Sequence, residues 1–168
     1  MQAILAIVKP FHGGYAAGGY PSKLWTPGKT CLYNQDDAAA ILSPRFFEKI
    51  LLPLENSIAR QADVAYLHLH SSCLYPVDLL LRDSDYAVLQ VNYDHAGAGP
   101  RLPEILPTLR KIIAQRPLIL WGEFTLGEMT QLANALGARG LSFQPIVANE
   151  QEASACREAF LRLRFADV

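Results

Sequence analysis

The stretch Val64–Cys73, VAYLHLHSSC, divides by the two-residue period of a strand into two unlike faces. Ala65, Leu67 and Leu69 fall on one and are wholly apolar. Val64, Tyr66, His68 and His70 fall on the other, which ends in two imidazoles. Such a segment reads as a buried strand with its polar groups gathered at the C-terminal end. In α/β proteins that end delivers catalytic and ligand-binding groups.

Downstream the pattern repeats. Leu74–Leu81 reads as a short helix and Ala87–Asn92 (AVLQVN) as the next strand, followed by a Gly/Pro loop and a helix over Leu102–Gln115. Pro117–Gly122 (PLILWG) is a third strand. Thr125 and Glu128 form a capping box that opens a helix to Leu136. Gly140–Ile146 (GLSFQPI) is a fourth strand, and Asn149 caps a last helix to Leu163. Four strand-helix units with near-continuous apolar strands predict a parallel sheet with right-handed crossovers.

Upstream, Ser43-Pro44 places a capping serine and a first-turn proline at the start of a helix to Arg60. Thr30–Asn34 reads as a short strand, and Gln35-Asp36-Asp37 as the cap of an Ala-rich turn. Phe11–Lys29 holds five glycines, two prolines, four aromatics and His12 without a clear period, so it reads as a long ordered loop. Gln2–Val8 reads as a helix end. The whole, residues 1–168, is expected to be one domain, with a loop-rich segment over 1–34 and consecutive helix and strand units over 35–168.

Composition narrows the functions. Half of the chain (51%) is hydrophobic and its formal net charge is -1, with scattered basic residues, so no nucleic-acid footprint is expected. Apolar runs such as Ile4–Val8 are too short to span a bilayer, and Met1 is not followed by a signal-peptide pattern, which points to the cytoplasm. Cys31, Cys73 and Cys156 are odd in number and widely spaced, as expected of reduced thiols.

Each strand ends in polar candidates: His68 and His70, then Gln90, Asn92 and Asp94, then Glu123, then Ser142 and Gln144. Polar groups converging from four successive strands suit a barrel mouth better than the single switch point of an open sheet. A complete barrel takes about 250 residues. The expectation is therefore the C-terminal half of a TIM-type barrel, a partial barrel of parallel β/α units, with the abrupt start at Met1 in agreement.

Several segments carry a family resemblance. They are Leu24-Trp25-Thr26-Pro27-Gly28, Asn34-Gln35-Asp36-Asp37-Ala38, Leu42-Ser43-Pro44 with Phe47, Leu52-Pro53, Leu67-His68-Leu69-His70-Ser71, Gln90-Val91-Asn92, Ile119-Leu120-Trp121-Gly122-Glu123 and Arg139-Gly140-Leu141. In this order the chain resembles the C-terminal part of the uroporphyrinogen decarboxylase-like superfamily, which includes methylcobamide methyltransferases. The resemblance implies a barrel of about twice this length and a tetrapyrrole, corrinoid-related or small anionic substrate. It also has departures. The tetrapyrrole-gripping arginine motif and aspartate of the decarboxylase lie in the half not represented here. Phe143-Gln144-Pro145 stands where a histidine-bearing glycine motif is expected. The methyltransferases' zinc-binding His-x-Cys is His68-Leu69-His70 here, and Cys156 falls within the last helix.

The candidate site follows. His68 and His70 point to one face and can share a cation, with Asp94 or Glu123 as carboxylate ligand, a donor set suited to zinc or non-haem iron. Without a metal, the same imidazoles can hydrogen-bond their neighbours or hold a substrate carboxylate. Glu123, entering an apolar site, is a candidate general acid or base, and Asp94 a second catalytic carboxylate. Asn92, Gln144, Tyr33, Gln35 and Trp25 are candidate substrate contacts. The competing expectation is a non-catalytic half that assembles with itself or with a separate N-terminal half, because unpaired sheet edges require cover. A homo-oligomer acting on a small molecule, without nucleic acid or membrane, is the expected state.

Overall fold

A computed structural model of the chain describes residues 30–94 and 99–162, together with the backbone of the short strands β1 (Pro10–Phe11), β2 (Gly14–Gly18) and β3 (Lys23–Thr26). These three form an antiparallel sheet in the order β1-β2-β3, with Tyr15 opposite Thr26 and Ala16 opposite Trp25. Strands thus stand where the sequence reads as loop. The cause is compositional: GYAAG offers the backbone groups of a ladder, but its glycines and alanines carry no alternation. The helix expected over Gln2–Val8 lies outside the described residues, as do His12 and the loop at 95–98.

The remaining strands are β4 (Cys31–Gln35), β5 (Val64–His70), β6 (Val88–Tyr93), β7 (Leu118–Gly122) and β8 (Leu141–Pro145). They pair in parallel in the order β4-β5-β6-β7-β8, each beside its predecessor. The helical segments between them begin with a 3₁₀ turn, Asp37–Ile41, and α1 over 44–59. They continue with α2 (Val77–Asp83), α3 (Leu102–Ile113), α4 (Leu126–Leu136) and, after β8, α5 (Glu150–Arg162). The chain is α/β, with five parallel strands alternating with helices. A strand order that never reverses is that of a partial parallel β/α barrel and leaves no topological switch point.

The two faces of the sheet are divided as the period of β5 requires. Ala65, Leu67, Leu69, Leu89, Val91, Leu118 and Leu120 form one buried cluster with Phe47, Leu80, Leu109, Ile112 and Leu132 from α1–α4. The helices therefore cover one face. The opposite face carries Tyr33, Tyr66, His68, His70, Gln90, Asn92, Ile119, Trp121, Ser142 and Gln144 in adjacent register, with His68 beside both Gln35 and Gln90.

Local chemistry sets the helix limits. The Ser43 hydroxyl accepts from Phe46 N–H at the start of α1, and Thr125 and Glu128 close a reciprocal capping box on α4. Asn149 Oδ1 accepts from Glu152 N–H at α5. Asp36 is an exception, since its side chain makes no cap bond to the 3₁₀ turn. Within α1 the residues Phe47–Leu51 form a π-helical turn whose closing bond runs from Leu52 N–H to Phe47 C=O. Pro53 follows directly. Its ring has no N–H and in a regular helix would meet the Lys49 carbonyl, so the widened turn accommodates it.

Leu67 is fully buried between sheet and helices. Leu67→Ala is expected to lower the unfolding free energy by about 3 kcal/mol, read as a shift of the denaturant midpoint at unchanged slope. A shift of less than about a third of that would mean that this face is not the core.

Candidate metal centre

The site stands where β4, β5 and β6 end. His68 and His70, two apart on β5, place their Nε2 atoms 3.4 Å from each other with the rings edge to face. Asp37, on the first turn after β4, brings Oδ1 to 3.3 Å from His70 Nε2. Asp37, His68 and His70 thus each offer one ligand atom, all within 4.8 Å of one another, and make a donor group that can hold a metal ion. Two ligands about 2.0–2.1 Å from a tetrahedral ion lie about 3.3–3.4 Å apart, so both measured edges match.

The outer nitrogens are held as well. His68 Nδ1 lies 2.8 Å from Gln90 Oε1, and His70 Nδ1 lies 2.8 Å from Asp94 Oδ1. With each Nδ1–H donating to its acceptor, both Nε2 atoms carry lone pairs, and these converge with the Asp37 carboxylate. Three lone pairs in one place repel unless a cation or a proton stands among them. Burial pushes the His68 imidazole below its ordinary range, helped by the neighbouring His70, which favours the neutral, ligating form. Gln90 is completely buried, and its Nε2 has no hydrogen-bond partner among the described residues. An unmade bond of that kind costs about 1–3 kcal/mol, which marks Gln90 as held for its contact with His68 and not for stability.

The surroundings extend the network. Tyr33 O–H donates to Gln35 Oε1 at 3.0 Å, and Gln35 Nε2 donates to Asp37 Oδ2. Trp121 and Tyr33 flank the His68 ring at 5.9 and 6.0 Å between centroids. Asn92 Nδ2 donates to Asp94 Oδ1 at 2.6 Å. Burial raises the Asp94 carboxyl, but hydrogen bonds from His70 and Ser72 outweigh it and hold the group below its ordinary value.

Of the residues expected from the sequence, His68, His70, Asp94, Asn92, Tyr33 and Gln35 come together here. Gln144 stands on the same face at β8, accepting no ligand role in the donor group and donating to Ser142 Oγ at 3.2 Å. Trp25 lies on β3, paired with Ala16, and its side chain is outside the described residues. Glu123 requires correction as a ligand. It is exposed, lies outside the donor group, and lines a separate open cleft of about 450 Å³ with Phe124, Glu128, Ile146 and Glu152. The reason is Gly122. Its φ of 148° departs from ordinary strand geometry, and a Cβ there would stand 2.8 Å from the Tyr93 carbonyl oxygen. The strand's alternation stops at that glycine, so its parity does not extend to Glu123.

Asp37 is the member of the donor group that sequence reasoning missed. An acidic residue opening a turn reads as a cap, and the available signal was its place two residues beyond Gln35, which pairs with His68. A second network was also unread. Glu55 Oε2 accepts from Tyr86 O–H at 2.5 Å and from Asn34 Nδ2 at 2.6 Å, beneath α1. Asp36 is buried nearby with Oδ2 unpartnered among the described residues. Its burial and the Glu55 charge raise its pKa to about 6.

Compared with models of known protein families, with curated proteins and with solved structures, the chain matches none.

The Asp36 shift has a definite sign. A carboxyl raised in the folded state stabilises the fold in its protonated form, fully below the unfolded pKa, and that contribution is lost as the pH rises through about 6. Asp36→Asn is expected to exceed the parent in stability near pH 8 by about 1–2 kcal/mol. The gain should vanish near pH 4, and paired denaturant melts across this window would show it. A gain independent of pH would refute the assignment.

Proposed function

We propose that this chain is the metal-binding part of a barrel-type enzyme in which Asp37, His68 and His70 hold one zinc or iron ion. The observation that carries the reading is the pair of Nε2 atoms 3.4 Å apart, each imidazole being held from behind by Gln90 or Asp94. Two imidazoles and a carboxylate leave positions open for substrate, and such an ion acts as a Lewis acid on a substrate oxygen, nitrogen or sulfur. Tyr33 and Trp121 would flank a molecule bound there, and the Tyr33-Gln35 hydrogen bond would orient Asp37. The resemblance to the uroporphyrinogen decarboxylase-like superfamily makes decarboxylation or methyl transfer the reaction classes, with a small anionic or corrinoid-related substrate. Between the two, a metal donor set on the His-x-His strand favours the methyltransferase-like chemistry.

A second part of the proposal concerns assembly. Among the described residues β4 and β8 are each paired on one side only. Ile41, Phe46, Ile50 and Leu54 are exposed on the segment between β4 and β5. Unpaired edges and exposed apolar side chains favour a second copy, or a separate chain that completes the barrel.

Elemental analysis of untagged protein should find about one zinc or iron per chain. His68→Ala with His70→Ala should remove it, Asp37→Asn should reduce it, and Glu123→Gln should leave it unchanged. Metal-free protein in every sample would leave the lone-pair cluster to a shared proton and defeat the reading. Light scattering is expected to give a mass above that of one chain, and a strictly monomeric mass would defeat the self-assembly part.

A further inference from the structure

We infer that Asp94 is a positioning residue, which sets the orientation and donor strength of His70 and does not itself act on substrate. The inference rests on the metal reading above. Both carboxylate oxygens are already engaged. Oδ1 accepts from His70 Nδ1 at 2.8 Å and from Asn92 Nδ2 at 2.6 Å. Oδ2 accepts from Ser72 Oγ at 3.1 Å, from Ser72 N–H at 3.3 Å and from Ser71 Oγ at 3.4 Å. The Asp94 backbone N–H donates to Ser71 Oγ at 2.9 Å. A carboxylate has about four acceptor sites, and five donors occupy these. Both oxygens are committed to neighbours within the protein, so the catalytic role that the sequence suggested gives way to an anchoring one.

The anchor lies between two elements. Asp94 follows β6, while Ser71 and Ser72 form the turn after β5, so the carboxylate ties the His70 strand end to its neighbour. His68 is backed differently, by the neutral Gln90 amide oxygen at 2.8 Å. The two imidazoles are therefore unequal ligands. A carboxylate behind the ring makes an imidazole a stronger donor than an amide does, and removing such outer partners costs 10–100-fold, roughly, in metal affinity. His70, which also stands 3.3 Å from Asp37, is the stronger of the pair.

The test loads the parent, Asp94→Asn and Asp94→Ala with Co(II), measuring affinity by chelator competition and ligand field by visible absorption. Asparagine keeps an acceptor for His70 Nδ1 and removes the charge. Its affinity should fall about tenfold and that of the alanine variant about 100-fold, with visible bands displaced in both. Thermal unfolding of the metal-free Asp94→Asn protein should stay close to that of the parent. Parental affinity and spectrum in Asp94→Asn would overturn the inference, and so would an affinity loss that merely follows a loss of metal-free stability. A parent that leaves Co(II) with its aqueous spectrum would instead defeat the metal reading, and this inference with it.

Discussion

The structure depends on the parity of β5. Pairing in parallel with β4 on one side and β6 on the other, this strand must direct Leu67 and Leu69 into the helices and His68 and His70 to the opposite face. A slip of one residue would exchange the two sets, burying imidazoles among leucines and exposing the leucines. Hydrophobic burial thus fixes the direction of the site. The two imidazoles hold their places because the alternate residues of the same strand belong to the core.

Orientation beyond parity comes from hydrogen bonds to the outer ring nitrogens. Gln90 leaves a buried donor without a partner to hold His68, and Asp94 draws on two serines and an asparagine to hold His70. On the helix side, Asp36 and Glu55 crowd two carboxyls into a buried region that Tyr86 and Asn34 only partly satisfy. Buried polar groups are costly unless paired. These groups stand beside an otherwise apolar core.

Much of this was legible beforehand because each signal was local. The strands β5 to β8 announce themselves as apolar runs, and Ser43, Thr125 and Asn149 mark their helices by the geometry of a cap. The faces of His68, His70, Gln90 and Asn92 follow from counting by two. Counting failed at Gly122, where one backbone angle ends the alternation and leaves Glu123 in solvent. It was silent at β2, whose glycines and alanines have no pattern to count, and at β1 and β3, which are too short to show a period. Asp37 was missed because its place beside the imidazoles requires β4 to lie next to β5, a long-range fact that an acidic turn residue does not carry by itself.

The donor group is divided unequally between the centre of the sheet and one side of it. His68 and His70 are held on a strand paired along both flanks, whereas Asp37 enters from the end of β4, whose only paired neighbour among the described residues is β5. Whatever draws these three groups together also draws β4 onto β5. An ion held by the three would link its occupancy to the docking of that strand, each favouring the other by mass action. The same carboxylate would add a clasp to the ladder with β5 and the Asn34–Glu55 hydrogen bond that already hold that strand.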